Sequence, residues 1–329
     1  MFHRPVHRNI VLLNCVYLSV HYLIKCKMSA IDRSYAYTVE NSSLPYVTVP
    51  DLLLEAATNV PNNDAAICWS ATGERTVITY SELYTNSTLF AKGLLTLGFA
   101  KQSIVAIESK NTVEWLISTF GTQMAGFVPL HFSFAKESGE DVVAILNSVK
   151  QCVALIADFS SINICQKIAG NLVRGNICSF AIPTLQNVIL MKSSDGNLLD
   201  TCALIDLGIS LHSLLPNIYA DDICAIFLTS GSTGLAKAVP FTHRKLCVMG
   251  FTYYKLFELE PGDKLLSYLP FGWLGCYPIG TLTHGATVVT YTDIRKIKSV
   301  QEINSMTVTV LNADKCVSAL LLSSAIFDL

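Results

Sequence analysis

Apolar and polar positions along this chain switch between a period of two and a period near 3.6. Thr76-Val77-Ile78-Thr79-Tyr80 reads as a strand. Ser81 then reads as the N-cap of a helix through Leu97, with Leu83, Leu89, Phe90, Leu94 and Leu97 near helical spacing and Gly98 as its stop. Ile104-Val105-Ala106-Ile107 is the next strand, followed by a helix over Asn111 to Met124 that ends at Gly126. A strand over Phe127 to Leu130, a helix over Ser138 to Val149 and a strand over Cys152 to Ala157 continue the series. Such a β-α-β-α-β rhythm is what parallel sheets flanked by helices require, so the expected class is α/β in layers. Between Asp158 and Ala220 the periodicity weakens, and residues from Ser193 to Asn197 mark a surface turn. No repeat, low-complexity run or long linker interrupts the body from 28 to 329.

The first 27 residues have a different pattern. His3, Arg4, His7 and Arg8 precede an apolar stretch from Ile10 to Ile24, broken by Asn14, Ser19 and His21. It is short of the roughly 20 residues that a spanning helix needs. It fits the core of a signal peptide, but Lys25, Cys26 and Lys27 follow, with no small-residue cleavage site. Residues 1–27 are therefore expected to stand outside the fold, as a signal-like leader, a weak membrane anchor through 10–24 or a non-native extension. Localisation stays open between cytoplasmic and peroxisomal or membrane-associated.

Composition narrows the partners. The net charge is -2 and charged residues are 15% of the chain, against an average near 25%. Without a basic cluster, nucleic acid is not an expected partner. The 11 cysteines are odd in number and show no C-x-x-C pair, so neither a disulfide framework nor a metal site is predicted. Most sit among apolar neighbours, as small core residues do. That usage reads as a reducing compartment; the sequons at Asn41 and Asn86 point the other way, and such triplets are common by chance.

The chemistry concentrates after Ile223 to Leu228, a wholly apolar run that reads as a buried strand. It opens into Thr229-Ser230-Gly231-Ser232-Thr233-Gly234-Leu235-Ala236-Lys237. Glycines allow close backbone approach to an anion, amides and hydroxyls donate to phosphate oxygens, and the lysine adds a charge. A Walker A loop is not matched, because Ala236 and Ala238 stand where its second glycine and its hydroxyl belong. On composition alone a plain surface loop would do.

Ile226 through Lys237 resembles, position by position, the AMP-binding signature of adenylate-forming enzymes, the superfamily of acyl-CoA synthetases, 4-coumarate-CoA ligases and luciferases. Ala236 stands where proline is commoner and Ala238 where glycine is frequent. Val239 to Arg244 is also family-like, with Thr242 expected to cap the next helix and His243 read as a helix-start residue. Thr79-Tyr80-Ser81-Glu82-Leu83 resembles the family's N-terminal box, and Ile104 to Glu108 with Asn111 and Glu114 its next block. Leu269 to Gly275 resembles the segment that lines the acyl pocket, though many members carry histidine where this chain has Gly272 or Trp273.

The resemblance implies a partial N-terminal domain of that fold over 28–329. It also implies a two-step reaction on a small-molecule carboxylic acid, in the first instance a fatty acid. ATP, Mg2+ and coenzyme A are the implied cofactors. Thr229, Ser230, Gly231, Ser232, Thr233, Gly234 and Lys237 would hold phosphates. Phe271, Gly272, Trp273 and Gly275 would line the acid pocket, with Trp273 and Tyr277 equally readable as core aromatics. No protein metal ligand and no catalytic residue is assigned. The family's later elements are an aromatic-Gly-x-Thr-Glu stretch, a Thr-Gly-Asp stretch and a small domain with a catalytic lysine, and none is found from Tyr291 to Leu329. The 329 residues on their own are thus expected not to make acyl-CoA. They read as part of a ligase, or as a non-catalytic nucleotide-binding or interaction protein made from the same fold.

Overall fold

The computed structural model describes residues 11–13, 45–132, 139–149, 151–170, 172, 177–193, 197–212, 214–229, 236–257, 259–267, 269–291 and 310–312. Two six-stranded sheets enclose a helical layer. The first sheet runs β1 (Val11–Leu13), β12 (Val310–Asn312), β10 (Lys264–Ser267), β11 (Thr287–Tyr291), β2 (Asp64–Trp69), β3 (Arg75–Thr79). The second runs β7 (Asn187–Met191), β6 (Cys152–Asp158), β4 (Ile104–Glu108), β5 (Val128–Phe132), β8 (Ile223–Leu228), β9 (Ala238–Thr242). Every neighbouring pair is parallel except β2 with β3 and β8 with β9. The parallel α/β layering expected from the chain's periodicity is what forms.

Strand alternation explains the layers. Val105 and Ile107 of β4 face one core and Ile104 and Ala106 face another, because successive side chains point to opposite sides. The first core lies between the sheets. It holds the buried faces of α1 (Val49–Asn59), α2 (Tyr80–Leu95) and α3 (Val113–Met124), with Leu204 of α6 (Thr201–Ser210), Leu246 of α7 (His243–Phe257) and Ile279 of α8 (Ile279–Leu282). The second core covers the outer face of the second sheet with α4 (Gly139–Ser148) and α5 (Ile162–Ala169). Both faces of β4 and β5 are buried, so both are mainly apolar, with Glu108 and His131 the exceptions. Helices α2 and α6 meet through a reciprocal pair of glycines. A Cβ on Gly93 would strike the Leu204 carbonyl, and one on Gly208 would strike that of Leu89.

Three expectations need correcting. Tyr80 is the first residue of α2 rather than the end of a strand. The cap of that helix is Thr79, not Ser81: the Thr79 hydroxyl accepts from Glu82 N–H at 3.2 Å, while the Thr79 N–H donates to the Glu82 carboxylate at 2.9 Å. Capping outranks the strand propensity of the threonine. The third correction is at the N-terminus, where Val11–Leu13, inside the segment expected to stand apart, pairs in parallel with Val310–Asn312. The rest of 1–27 lies outside the described residues.

The segments 61–95 and 220–257 share one ββα plan. In each, two antiparallel strands carry a register shift at the start (Asp64/Ala66 and Ile223/Ala225) and end in a threonine paired with the first residue of the partner strand (Thr79 with Asp64, Thr242 with Ile223). The next residue then donates its N–H to the residue before that strand: Tyr80 to Asn63 and His243 to Asp222. The likeness is one of strand pairing alone: the two segments share no readable sequence pattern, in keeping with the absence of repeats read from the sequence.

Candidate functional site

Those candidate residues that are described lie at or just beyond strand ends of the two sheets. Asn111 follows β4 in the second sheet. Its side-chain N–H groups donate to the Leu269 carbonyl at 2.8 Å and the Thr290 hydroxyl at 3.0 Å, and its side-chain oxygen accepts from Phe271 N–H at 2.8 Å. Leu269 lies two residues past β10 and Thr290 near the end of β11, so this one amide brings the carboxyl ends of strands from the two sheets together. In open parallel sheets that edge is where ligands bind.

The nine-residue loop leaves the carboxyl end of β8 and returns as β9. Its base is closed by Thr229 N–H donating to the Lys237 carbonyl at 2.9 Å, and by Lys237 N–H donating to the Thr229 hydroxyl at 3.2 Å. Leu228 then pairs with Ala238 and Ile226 with Pro240. No strand was expected between the loop and the helix beginning near Thr242; residues 238–242 form an edge strand there. Pro240 is tolerated there because an edge strand can lack an N–H. Thr242 does cap α7, its hydroxyl accepting from Lys245 N–H at 3.3 Å. Thr229 and Lys237 are exposed. Ser230, Gly231, Ser232, Thr233 and Gly234 lie outside the described residues.

Pro270 to Tyr277 forms two tight turns, with Trp273 N–H donating to Pro270 O and Cys276 N–H to Trp273 O, each at 2.9 Å. Phe271 and Tyr277 are buried, whereas Trp273 is 41% exposed and Gly275 is open to solvent. Phe271 and Tyr277 join an aromatic cluster. The Trp115 ring lies 5.4 Å from Phe271 and 6.0 Å from Tyr277, and Phe227 lies 5.4 Å from Tyr277. Phe227 stands two residues before Thr229, so the cluster adjoins the base of the loop. Of the two aromatics that sequence left undecided, Tyr277 belongs to this core, its hydroxyl accepting from Gln123 Nε2 at 2.9 Å. Trp273 faces outward.

Sequence reasoning passed over His131. It lies in β5, an otherwise apolar and fully buried strand, and its ring centroid lies 4.7 Å from that of Trp115 and 5.7 Å from that of Phe227, both pairs tilted. Burial holds its pKa down to about 3, so the ring is neutral. Gly272 sits against it: a Cβ added there would come 2.9 Å from the His131 Cβ. The available signal was a lone histidine inside a buried strand. His243, read as a helix-start residue, opens α7; its Nδ1 accepts from Val49 N–H at 3.1 Å, and burial lowers its pKa to about 4. Burial also pushes the thiols of Cys68, Cys152, Cys165 and Cys247 up to about 12, consistent with core roles.

A family model described as "AMP-binding enzyme" matches residues 53–322. Among curated proteins, the chain is 25% identical over 238 residues to mouse (Mus musculus) "Long-chain-fatty-acid--CoA ligase ACSBG2", covering 68% of this chain and 34% of that protein. It is 25% identical over 227 residues to zebrafish (Danio rerio) "Medium-chain acyl-CoA ligase ACSF2, mitochondrial", covering 66% and 37%. The chain thus spans little more than a third of the length of these relatives. Among solved structures, Mycobacterium smegmatis MbtA aligns with a TM-score of 0.69 at 22% identity, over 82% of this chain and 48% of that one.

Proposed function

The chain belongs to the AMP-binding enzyme family, and on that premise we propose that it takes part in the ATP-dependent activation of a carboxylic acid, in the first instance a fatty acid. A carboxylate oxygen bonds to the α-phosphorus of ATP while the bond to the β-phosphate oxygen breaks. Pyrophosphate leaves and an acyl-adenylate forms. A thiol, that of coenzyme A, then attacks the acyl carbon and AMP departs.

The observation that carries this reading is the closure of the loop by Thr229 and Lys237 at the carboxyl end of β8. In sequence the two closing residues bracket a run of hydroxyls and glycines, and that closure lies at the carboxyl end of a strand in a largely parallel sheet, the edge where such sheets bind ligands. The donor set of amides, hydroxyls and an ammonium fits phosphate oxygens. Lys237 and the loop hydroxyls, Thr229, Ser230, Ser232 and Thr233, would offset charge on the departing phosphates. Magnesium bound to the nucleotide would neutralise further phosphate charge. Phe271, Gly272, Trp273 and Gly275 would form a wall of the acid site beside it.

Calorimetry with AMP and with a fatty acyl sulfamoyl-adenosine, a non-reactive mimic of the acyl-adenylate, tests this. An acid-activating site should bind the mimic roughly 100-fold more tightly than AMP, since it is built around the reaction's high-energy species. A mimic that binds no better than AMP would overturn the proposal in favour of a non-catalytic nucleotide-binding protein. Absence of binding by either compound would remove both readings.

A further inference from the structure

An outer strand of a sheet presents a row of backbone N–H and C=O groups open to pairing with another chain, and the two sheets have four such strands. Three of them are blunted by features of the body. β9 carries Pro240, which has no N–H to offer. β3 is short and opens on the exposed Arg75. β7 is covered by the segment beside it, with Leu190 N–H donating to the Leu199 carbonyl at 2.9 Å and Leu190 bridging to Asp200. The fourth edge is handled differently. Among the described residues, the only strand beyond β12 is β1, three residues from the N-terminal stretch that sequence set apart from the fold.

The sequence around β12 makes that cover matter. It reads Thr307-Val308-Thr309-Val310-Leu311-Asn312, and no charged residue, proline or glycine falls between Glu302 and Asp314. An uncharged segment rich in β-branched residues is the composition that pairs with copies of itself when its edge is bare. β10 takes one side of β12 in parallel, with Leu265 beside Val310 and Leu266 beside Leu311. β1 takes the other side, with Val11 beside Val310 and Leu12 beside Leu311. Successive residues of a strand direct their N–H and C=O groups to opposite neighbours, so β10 cannot satisfy the groups that face β1.

We propose that the outer edge of β12 is a self-association surface that takes a second copy of this chain, and that residues 11–13 hold it closed in cis. The occupant in trans is the same uncharged segment of the other copy, because strand addition draws on backbone groups and β-branched residues that both copies possess. Among the described residues no other strand pairs with β1, so its departure breaks no other ladder. The edge therefore opens without unfolding the sheet. A stretch written like a leader acts here as a guard, and its loss or capture by another binder turns a monomer into a self-pairing chain.

Val11→Pro combined with Leu12→Pro in the full chain tests this. Adjacent residues face opposite sides, so one of the two prolines removes an N–H directed at β12. In sedimentation velocity the variant is expected to self-associate at a concentration at least about 10-fold below that of the parent. Hydrogen exchange should find the amides of 310–312 that face β1 protected in the parent monomer, open in the variant monomer and protected again in its assemblies. Leu12→Cys combined with Leu311→Cys closes the edge covalently, since neighbouring parallel strands lie near the separation that a disulfide spans. Should the proline variant fail to fold, this pair decides: oxidised, it should remain monomeric to a concentration about 10-fold above that of its reduced form, with the parent carried through the same oxidation as reference. The proposal is overturned if the proline variant associates no more than the parent, if its assemblies leave 310–312 exchanging freely, or if locking the cysteine pair changes nothing.

Discussion

Asn111 and Phe271 are joined by a 2.8 Å hydrogen bond, backbone N–H to side-chain oxygen, across 160 residues of chain. The same amide donates to Leu269 and Thr290, so one side chain satisfies three groups contributed by the other sheet. Asn111→Leu should strand a backbone N–H, a carbonyl and a hydroxyl at once. Urea unfolding is expected to show a loss of about 2–4 kcal/mol. Asn111→Asp, which keeps the acceptor and loses the donors, should lie between that variant and the parent. A loss below roughly 0.5 kcal/mol for the leucine variant would mean that the joint carries no weight.

The cap of α2 separates two readings of one sequence. If Thr79 is the N-cap, Thr79→Ala should cost about 1 kcal/mol and Ser81→Ala close to nothing. The reverse order in thermal or urea melts would restore the cap that periodicity alone suggested.

Acid should destabilise the protein through its buried histidines. The folded pKa values of His131 and His243, about 3 and about 4, lie below the ordinary value of 6.5 because burial disfavours the charged ring. In that window the unfolded chain binds more protons than the folded one. The stability that these groups contribute is therefore complete above pH 6.5 and falls as pH drops toward 4, by roughly 3 kcal/mol for each ring. His243→Gln should flatten the slope of unfolding free energy between pH 6.5 and 4 by about one histidine's share. An unchanged slope would place the titration elsewhere.

Lys237 stands at the base of the loop with its side chain in solvent. Lys237→Ala is expected to weaken ATP binding about 10-fold or more while leaving AMP nearly unaffected, since its charge would meet the phosphates that AMP lacks. Equal losses for ATP and AMP would assign it a general structural role.

Much of this fold is legible in its residues, and the gaps have physical causes. Ile223–Leu228 was bounded correctly because a strand buried on both faces leaves an unbroken apolar run. The helices over 113–124 and 139–148 were found within two residues at each end, because their apolar stripes are periodic. Asp64–Trp69 was missed: with only six residues and two alanines its run is short, and its place beside β11 depends on residues more than 200 positions away. Ala238–Thr242 was missed because Pro240 argues against a strand unless the strand is known to be an edge, and edges are a tertiary property. Asn111 was noticed only within a familiar-looking block. Its bridging role needs the second sheet, which local periodicity cannot place. His131 went unremarked because a single histidine in an apolar strand is ordinarily a core residue; what distinguishes it is that its ring nitrogens have no hydrogen-bond partner among the described residues, which shows only in three dimensions.

The two ββα segments act as an experiment and its control within one molecule. In the first, strands ending at Trp69 and starting at Arg75 are joined by five residues, 70–74, closed by Ser70 N–H donating to the Glu74 carbonyl at 2.8 Å. In the second, the same first-to-last bond, Thr229 to Lys237, closes nine residues. The hairpin therefore needs only the shorter connection to form. Whatever the four additional positions and their hydroxyls contribute, it is not closure of the strands. Grafting residues 70–74 in place of 229–237 should leave the melting temperature within a few degrees, as loop shortening costs little entropy, and remove ATP binding altogether. Were the grafted chain to unfold, the longer connection would have to be counted among the supports of the second sheet.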